Sequence, residues 1–179
     1  MAALDAQKRI SSNPHHESTM PRFQQILLLV GQMSYTWTNT ESLLIYLIAG
    51  LAKVDKETAI IVFLTLNTTR ARIELVERLA KMQKTPAACR QAVLAVTSEL
   101  TRQAKLRNKY SHCIYSFNES GTHGSTQLMR IADGKDDVKY GKIEALDDKE
   151  IGRIQASIED IKAINQNIWS IIIDNSFPK

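Results

Sequence analysis

The 179 residues carry 23 Lys and Arg against 19 Asp and Glu, a net charge of +4, and 44% of them are apolar. That balance suits one globular domain and excludes wholesale disorder, and two cysteines, Cys89 and Cys113, cannot build a disulfide framework. The apolar runs at 26–31 and 43–52 are too short to span a bilayer, and the N-terminal stretch has no apolar core of a secretory signal, so the expectation is a cytoplasmic protein with no membrane contact.

Residues 1–20 mix Ser, Asn, Pro and the pair His15–His16, and read as a flexible tail with a short helical stretch at 2–10; residues 21–179 read as one helical domain. A long amphipathic helix is expected from Pro21 to about Ala52. Asp55 can cap a short helix to about 66, Thr68 or Thr69 another over 70–83, and Thr85-Pro86 opens a third over 86–111. From Cys113 the period changes. Strands are expected at 113–118, 126–132 and 138–146, separated by the turn-rich NESGTHGS and ADGKDD segments. Asp147 and Glu150 then form a capping-box-like start to a last helix over 148–174, with isoleucines at helical spacing from Ile151 to Ile173. The expected fold is mainly α, an up-and-down bundle of four or five helices with a small β-hairpin or three-stranded insertion before the last helix.

Charge is unevenly spread. Residues 68–109 hold ten Lys/Arg against three Asp/Glu, whereas 131–179 hold seven against ten. The basic block could attract a phosphate-bearing partner or be a solvated helix surface.

Two charges fall on apolar stripes. On the 86–111 helix, Val93, Val96, Leu100 and Ala104 share a face, and Arg107 lies about 20° from Leu100 on the same line. On the first helix, Glu41 falls about 40° from Trp37, within the line of Ile26, Val30, Met33, Leu44, Ile48 and Leu51. An unpaired buried carboxylate is costly, so Glu41 is expected to approach Arg107 or His112 across the helix interface. The alternatives are a helix break at 38–40 that makes Glu41 a first-turn acid, and an Arg107 whose stem packs while its head reaches water.

The segment Arg107-Asn108-Lys109-Tyr110-Ser111-His112 closes the long helix. It resembles the signature of the HEPN superfamily, in which an Arg precedes a His by four to six intervening residues and a polar residue, often Asn, follows the Arg. Arg107, Asn108 and His112 match that pattern. Trp37 and Glu41 in an early helix, and strands after the His, also look like this group. The resemblance implies a metal-independent endoribonuclease that dimerises with its motif-bearing helices facing each other, often a toxin or defence component. It equally admits a descendant that keeps the fold for RNA or protein binding.

The chemistry can be argued from the side chains alone. Cleaving RNA without a metal needs a proton carrier at the ribose 2′-hydroxyl and the leaving oxygen, and imidazole titrates in the right range. It needs positive charge at the phosphorane, which a forked guanidinium supplies. Arg107 and His112 are therefore the candidate catalytic pair, giving a 2′,3′-cyclic phosphate and a 5′-hydroxyl. Asn108, Glu41 and Tyr110 are candidate supporting residues; Arg102, Lys105 and Lys109 are candidate contacts to the RNA backbone. Five residues apart, Arg107 and His112 diverge by about 140° on a straight helix. Either the helix ends near 110 and redirects His112, or a second copy supplies the opposing pair; the homodimer that the resemblance implies would meet this requirement. An antitoxin or other protein partner is a further candidate. No cofactor or metal is expected: His112, Cys113 and His123 lack the paired spacing of a zinc site. Two other readings remain open, a non-catalytic RNA- or protein-binding module and a helical oligomeric scaffold.

Overall fold

A computed structural model describes residues 20–178; of the expected tail at 1–20, residues 1–19, with His15 and His16, lie outside the described residues. The chain is mainly helical, with a small antiparallel insertion before the last helix. The helices are α1 (Arg22–Ser42), α2 (Leu44–Ala52), α3 (Lys56–Thr65), α4 (Thr69–Ala80), α5 (Ala87–Ser111) and α6 (Asp148–Asp174). The strands β1 (Cys113–Phe117), β2 (Gly124–Leu128), β3 (Ile131–Asp133), β4 (Val138–Tyr140) and β5 (Ile143–Ala145) lie between α5 and α6.

Local chemistry sets most boundaries. The carboxylate of Asp55 accepts from the Thr58 N–H at 2.8 Å, the Thr68 hydroxyl from the Ala71 N–H at 3.1 Å, and Asp147 from the Glu150 N–H at 2.8 Å. Each satisfies a donor that the first helical turn leaves unpaired. Pro21 and Pro86 precede α1 and α5 directly, in extended conformation. The break between α1 and α2 falls at Leu43, not at 38–40. The Leu43 N–H bonds the Thr40 carbonyl and the Tyr46 N–H bonds the Leu43 carbonyl, a local tightening that leaves the rod nearly continuous. Glu41 therefore lies in the last turn of α1 and not in a first turn.

α6 is the central rod. Ile151, Ile154, Ile158, Ile161, Ile164, Ile168 and Ile172 are buried, and the helix packs against α1 and α5. Polar bridges fix its register. Gln103 of α5 donates to Asp160 at 2.6 Å and accepts from Ser157 at 2.7 Å, while Asn165 donates to the Thr40 hydroxyl at 3.2 Å. Gln103 and Ser157 are buried, so unmet hydrogen bonds would penalise any slip. α4 packs on α2 and α5, and α3 on α2. No described helix is long and apolar enough to cross a membrane.

The insertion is more divided than its sequence suggests. β1, β2 and β5 form one antiparallel sheet in the order β1-β2-β5, while β3 and β4 pair separately. The expected 126–132 strand is interrupted at Met129–Arg130 and the 138–146 strand at Gly141–Lys142. Gly141 is required at that point: a Cβ there would lie 2.0 Å from the Leu128 carbonyl oxygen. Every residue of β3 and β4 is exposed, so this distal pair stands clear of the core.

Candidate functional site

The candidate site gathers where α5 ends against α1. Val93, Val96 and Leu100 bury the α5 stripe, and one turn beyond Ala104 the same line carries Arg107. Arg107 is half-buried. Its guanidinium carbon lies 5.7 Å from the centroid of the Trp37 ring, and its Nη1 donates to Asn108 Oδ1 at 3.1 Å. Its Nε is buried with no hydrogen-bond partner, the sole such side-chain atom among the described residues. An unpaired buried donor costs free energy that an acceptor would recover, so the head of Arg107 is under-bonded where it stands.

His112 is the cap residue that ends α5. Its N–H bonds the Asn108 and Lys109 carbonyls, and its own carbonyl accepts from the Met129 N–H at 3.2 Å. The backbone leaves helical geometry there, at φ −129° and ψ 35°, and the side chain is exposed. The helix thus stops one residue before His112, which turns it out of the straight-helix direction. No hydrogen bond joins His112 to Arg107 among the described residues, and none orients the imidazole.

Glu41 departs from expectation. It is buried, but its counter-ion is Arg72 and neither Arg107 nor His112. Arg72 Nη1 donates to Glu41 Oε1 at 3.2 Å, the Thr69 hydroxyl donates to the same oxygen at 2.6 Å, and the Trp37 indole N–H donates to Oε2 at 3.1 Å. Arg72 is itself fixed by its Nε donating to the Phe63 carbonyl at 3.1 Å and by the Phe63 ring 4.1 Å from its guanidinium carbon. The first turn of α4 faces the end of α1, so Arg72 reaches Glu41 first. Glu41 accepts from the N–H of the indole over whose ring Arg107 lies.

Lys109 and Tyr110 also differ from expectation. The Lys109 ammonium is held by Glu144 at 2.6 Å and by Glu150, which also accepts from the Tyr110 hydroxyl. The Lys109 side chain is 15% exposed and Tyr110 1%. Burial alone would depress the Lys109 pKa, but the bonds to Glu144 and Glu150 outweigh it and hold it above the ordinary lysine value. Burial would raise the Glu150 carboxyl, yet Lys109 and Tyr110 together bring it below the usual range. Burial and the bonded Glu150 carboxylate push the Tyr110 phenol up. Glu150 therefore spends its side chain on α5 instead of closing a capping box. These residues join α5, β5 and α6, and neither Lys109 nor Tyr110 is open to a ligand.

Of the other expected backbone contacts, Arg102 is exposed but bonded to Glu99, with Asp160 at 3.6 Å, and Lys105 is exposed with no ion pair among the described residues. Much of the basic block is similarly spent: Glu74 holds Arg70 and Arg78, and Glu77 holds Lys81. Cys113 is buried, its thiol pushed up by burial and directed at the Tyr110 carbonyl. His123 lies beyond the far end of the β1–β2 ladder, on the order of 13 Å of strand away from Cys113. No cluster of three His, Cys, Asp or Glu side chains with metal-binding geometry occurs among the described residues. Sequence reasoning missed Arg72 and Thr69 as the partners of Glu41. It also missed Glu144 and Glu150 as those of Lys109. Comparison with known proteins returns no family model, no curated protein and no solved structure that matches the chain.

Proposed function

We propose that the chain is a HEPN-like, metal-independent endoribonuclease that acts as a dimer. The observation that carries this reading is the state of Arg107: a guanidinium sheltered against Trp37 that has, among the described residues, no carboxylate partner and a buried Nε without an acceptor. In this reading a phosphodiester supplies that acceptor once the side chain turns Nε outward, and the edge formed by Nε and Nη2 suits two phosphate oxygens, Nη1 being held by Asn108. His112, five residues on and exposed, supplies an imidazole.

In this reading an imidazole takes the proton of the ribose 2′-hydroxyl, and the 2′-oxygen attacks phosphorus. Arg107 stabilises the negative charge on the phosphorane, and the 5′-oxygen leaves with a proton from an acid. The products are a 2′,3′-cyclic phosphate and a 5′-hydroxyl. One imidazole cannot be base and acid in the same step; two copies of the site would supply both. α1 supports an assembly of copies. It carries no charge between Arg22 and Glu41, yet Leu27, Leu28 and Tyr35 are exposed on it. A second copy offers the same uncharged face.

One observation favours a second reading, a non-catalytic module that binds RNA: among the described residues the imidazole of His112 has no orienting partner. Incubating the wild type, Arg107→Ala and His112→Ala with mixed RNA and a chelator separates these. Cleavage lost in both variants supports the endoribonuclease. Retention of uncleaved RNA that weakens with salt supports the binding module. Neither result leaves a helical scaffold. Growth arrest on induced expression, relieved by His112→Ala, would support a role in defence, stress or a toxin–antitoxin pair.

A further inference from the structure

We propose that Trp37, Glu41 and Arg72 position Arg107. Trp37 is the surface on which the guanidinium rests, and Arg72 is the counter-ion that keeps Glu41 off it. The inference rests on the reading of Arg107 as a phosphate-binding group.

Trp37 is 1% exposed and performs two tasks at once. Its indole N–H is spent on Glu41 Oε2 at 3.1 Å, which fixes the rotation of the ring. Its face lies 5.7 Å from the guanidinium carbon of Arg107. An aromatic face attracts a guanidinium through its quadrupole but accepts no strong hydrogen bond, so the cation is located without being neutralised. A carboxylate in that place would locate it too, but any incoming phosphate would then have to displace the carboxylate.

Glu41 is the carboxylate that could do this, since it contacts the same indole. Its oxygens are already committed: Oε1 to Arg72 Nη1 at 3.2 Å and the Thr69 hydroxyl at 2.6 Å, Oε2 to Trp37. Arg72 in turn cannot drift toward Arg107, because the Phe63 carbonyl and ring hold it. Four helices, α1, α3, α4 and α5, thus converge to hold one cation in place with its charge uncancelled.

The test uses an uncleavable 2′-O-methyl RNA oligomer as probe, with binding measured for full-length variants whose folding is checked by circular dichroism. Trp37→Leu should weaken Arg107-dependent binding by about tenfold, while Trp37→Phe, which keeps an aromatic face, should stay within about threefold of wild type. Arg72→Gln should weaken binding by releasing Glu41, and adding Glu41→Gln to it should restore binding. Where a variant does not fold, a Trp169→Phe background leaves Trp37 as the reporter, since the chain has two tryptophans. Its emission should change when Arg107→Ala is added. Equal binding by Trp37→Leu, Trp37→Phe and wild type, failure of the double variant to recover, or unchanged Trp37 emission would each overturn the positioning role. If Arg107→Ala itself binds the probe like wild type, it is the reading of Arg107 that fails, whatever the emission shows.

Discussion

The C-terminal end of α5 carries two cations with opposite fates, Lys109 in the last turn and Arg107 just before it. On one side Lys109 meets Glu144 and Glu150 and is almost fully enclosed. On the other, Arg107 rests on an aromatic ring with a donor unspent. The two are two residues apart in sequence and share a helix, a net charge and a dielectric boundary. The difference lies in what the surrounding elements bring. β5 and the first turn of α6 present carboxylates, whereas α1 presents Trp37 and a glutamate already claimed by Arg72. A saturated cation holds elements together, and the under-bonded one is the group that the proposed function gives to a phosphate.

The largest expected effect tests the unsaturated side. Arg107→Ala and His112→Ala should each lower RNA cleavage by about 10²–10⁴-fold with little change in melting temperature, as removal of a charge stabiliser or a proton carrier does. The next tests the saturated side. Lys109→Ala removes the cation between Glu144 and Glu150, leaves Lys142 and Arg153 as their more distant partners at 3.6 and 3.5 Å, and should cost about 2–3 kcal/mol in urea unfolding, below the full scale of a broken buried pair.

Acid should act on the same side. Glu144 and Glu150 have carboxyl pKa values below the ordinary 4.5, so their contribution to stability is complete above that pH and is lost as pH falls through their lowered folded values. Urea midpoints measured from pH 6 down to 3 should fall, and fall less in Glu150→Gln. Smaller still, Lys105→Ala should weaken RNA binding evenly across sequences and reduce the salt slope by about one ion, read from affinities at several salt concentrations.

The same contrast explains what the sequence revealed. Helix starts were legible because their determinants are local: Asp55, Thr68, Pro86 and Asp147 act within three residues of the turn they open. The Arg107 line was legible because helical periodicity ranks it with Leu100. The fate of Lys109 was not. It sits about 180° from Leu100, where periodicity alone expects solvent, and only the folded insertion covers it. The counter-ion of Glu41 was hidden for a related reason. Arg72 lies on a separate helix whose approach to α1 is set by packing among α2, α4 and α5, which no local pattern encodes. The split of the insertion at Gly141 likewise depends on a backbone approach to Leu128 from a distant strand.

The most direct measurement is single-turnover cleavage of a short RNA in the presence of a chelator, with the product ends identified, for wild type, Arg107→Ala, His112→Ala and Lys109→Ala, each held well below its melting temperature. The expected result is 2′,3′-cyclic phosphate ends from wild type and Lys109→Ala, and cleavage about 10²–10⁴-fold slower from the other two. Undiminished cleavage by Arg107→Ala, or loss confined to Lys109→Ala, would contradict it.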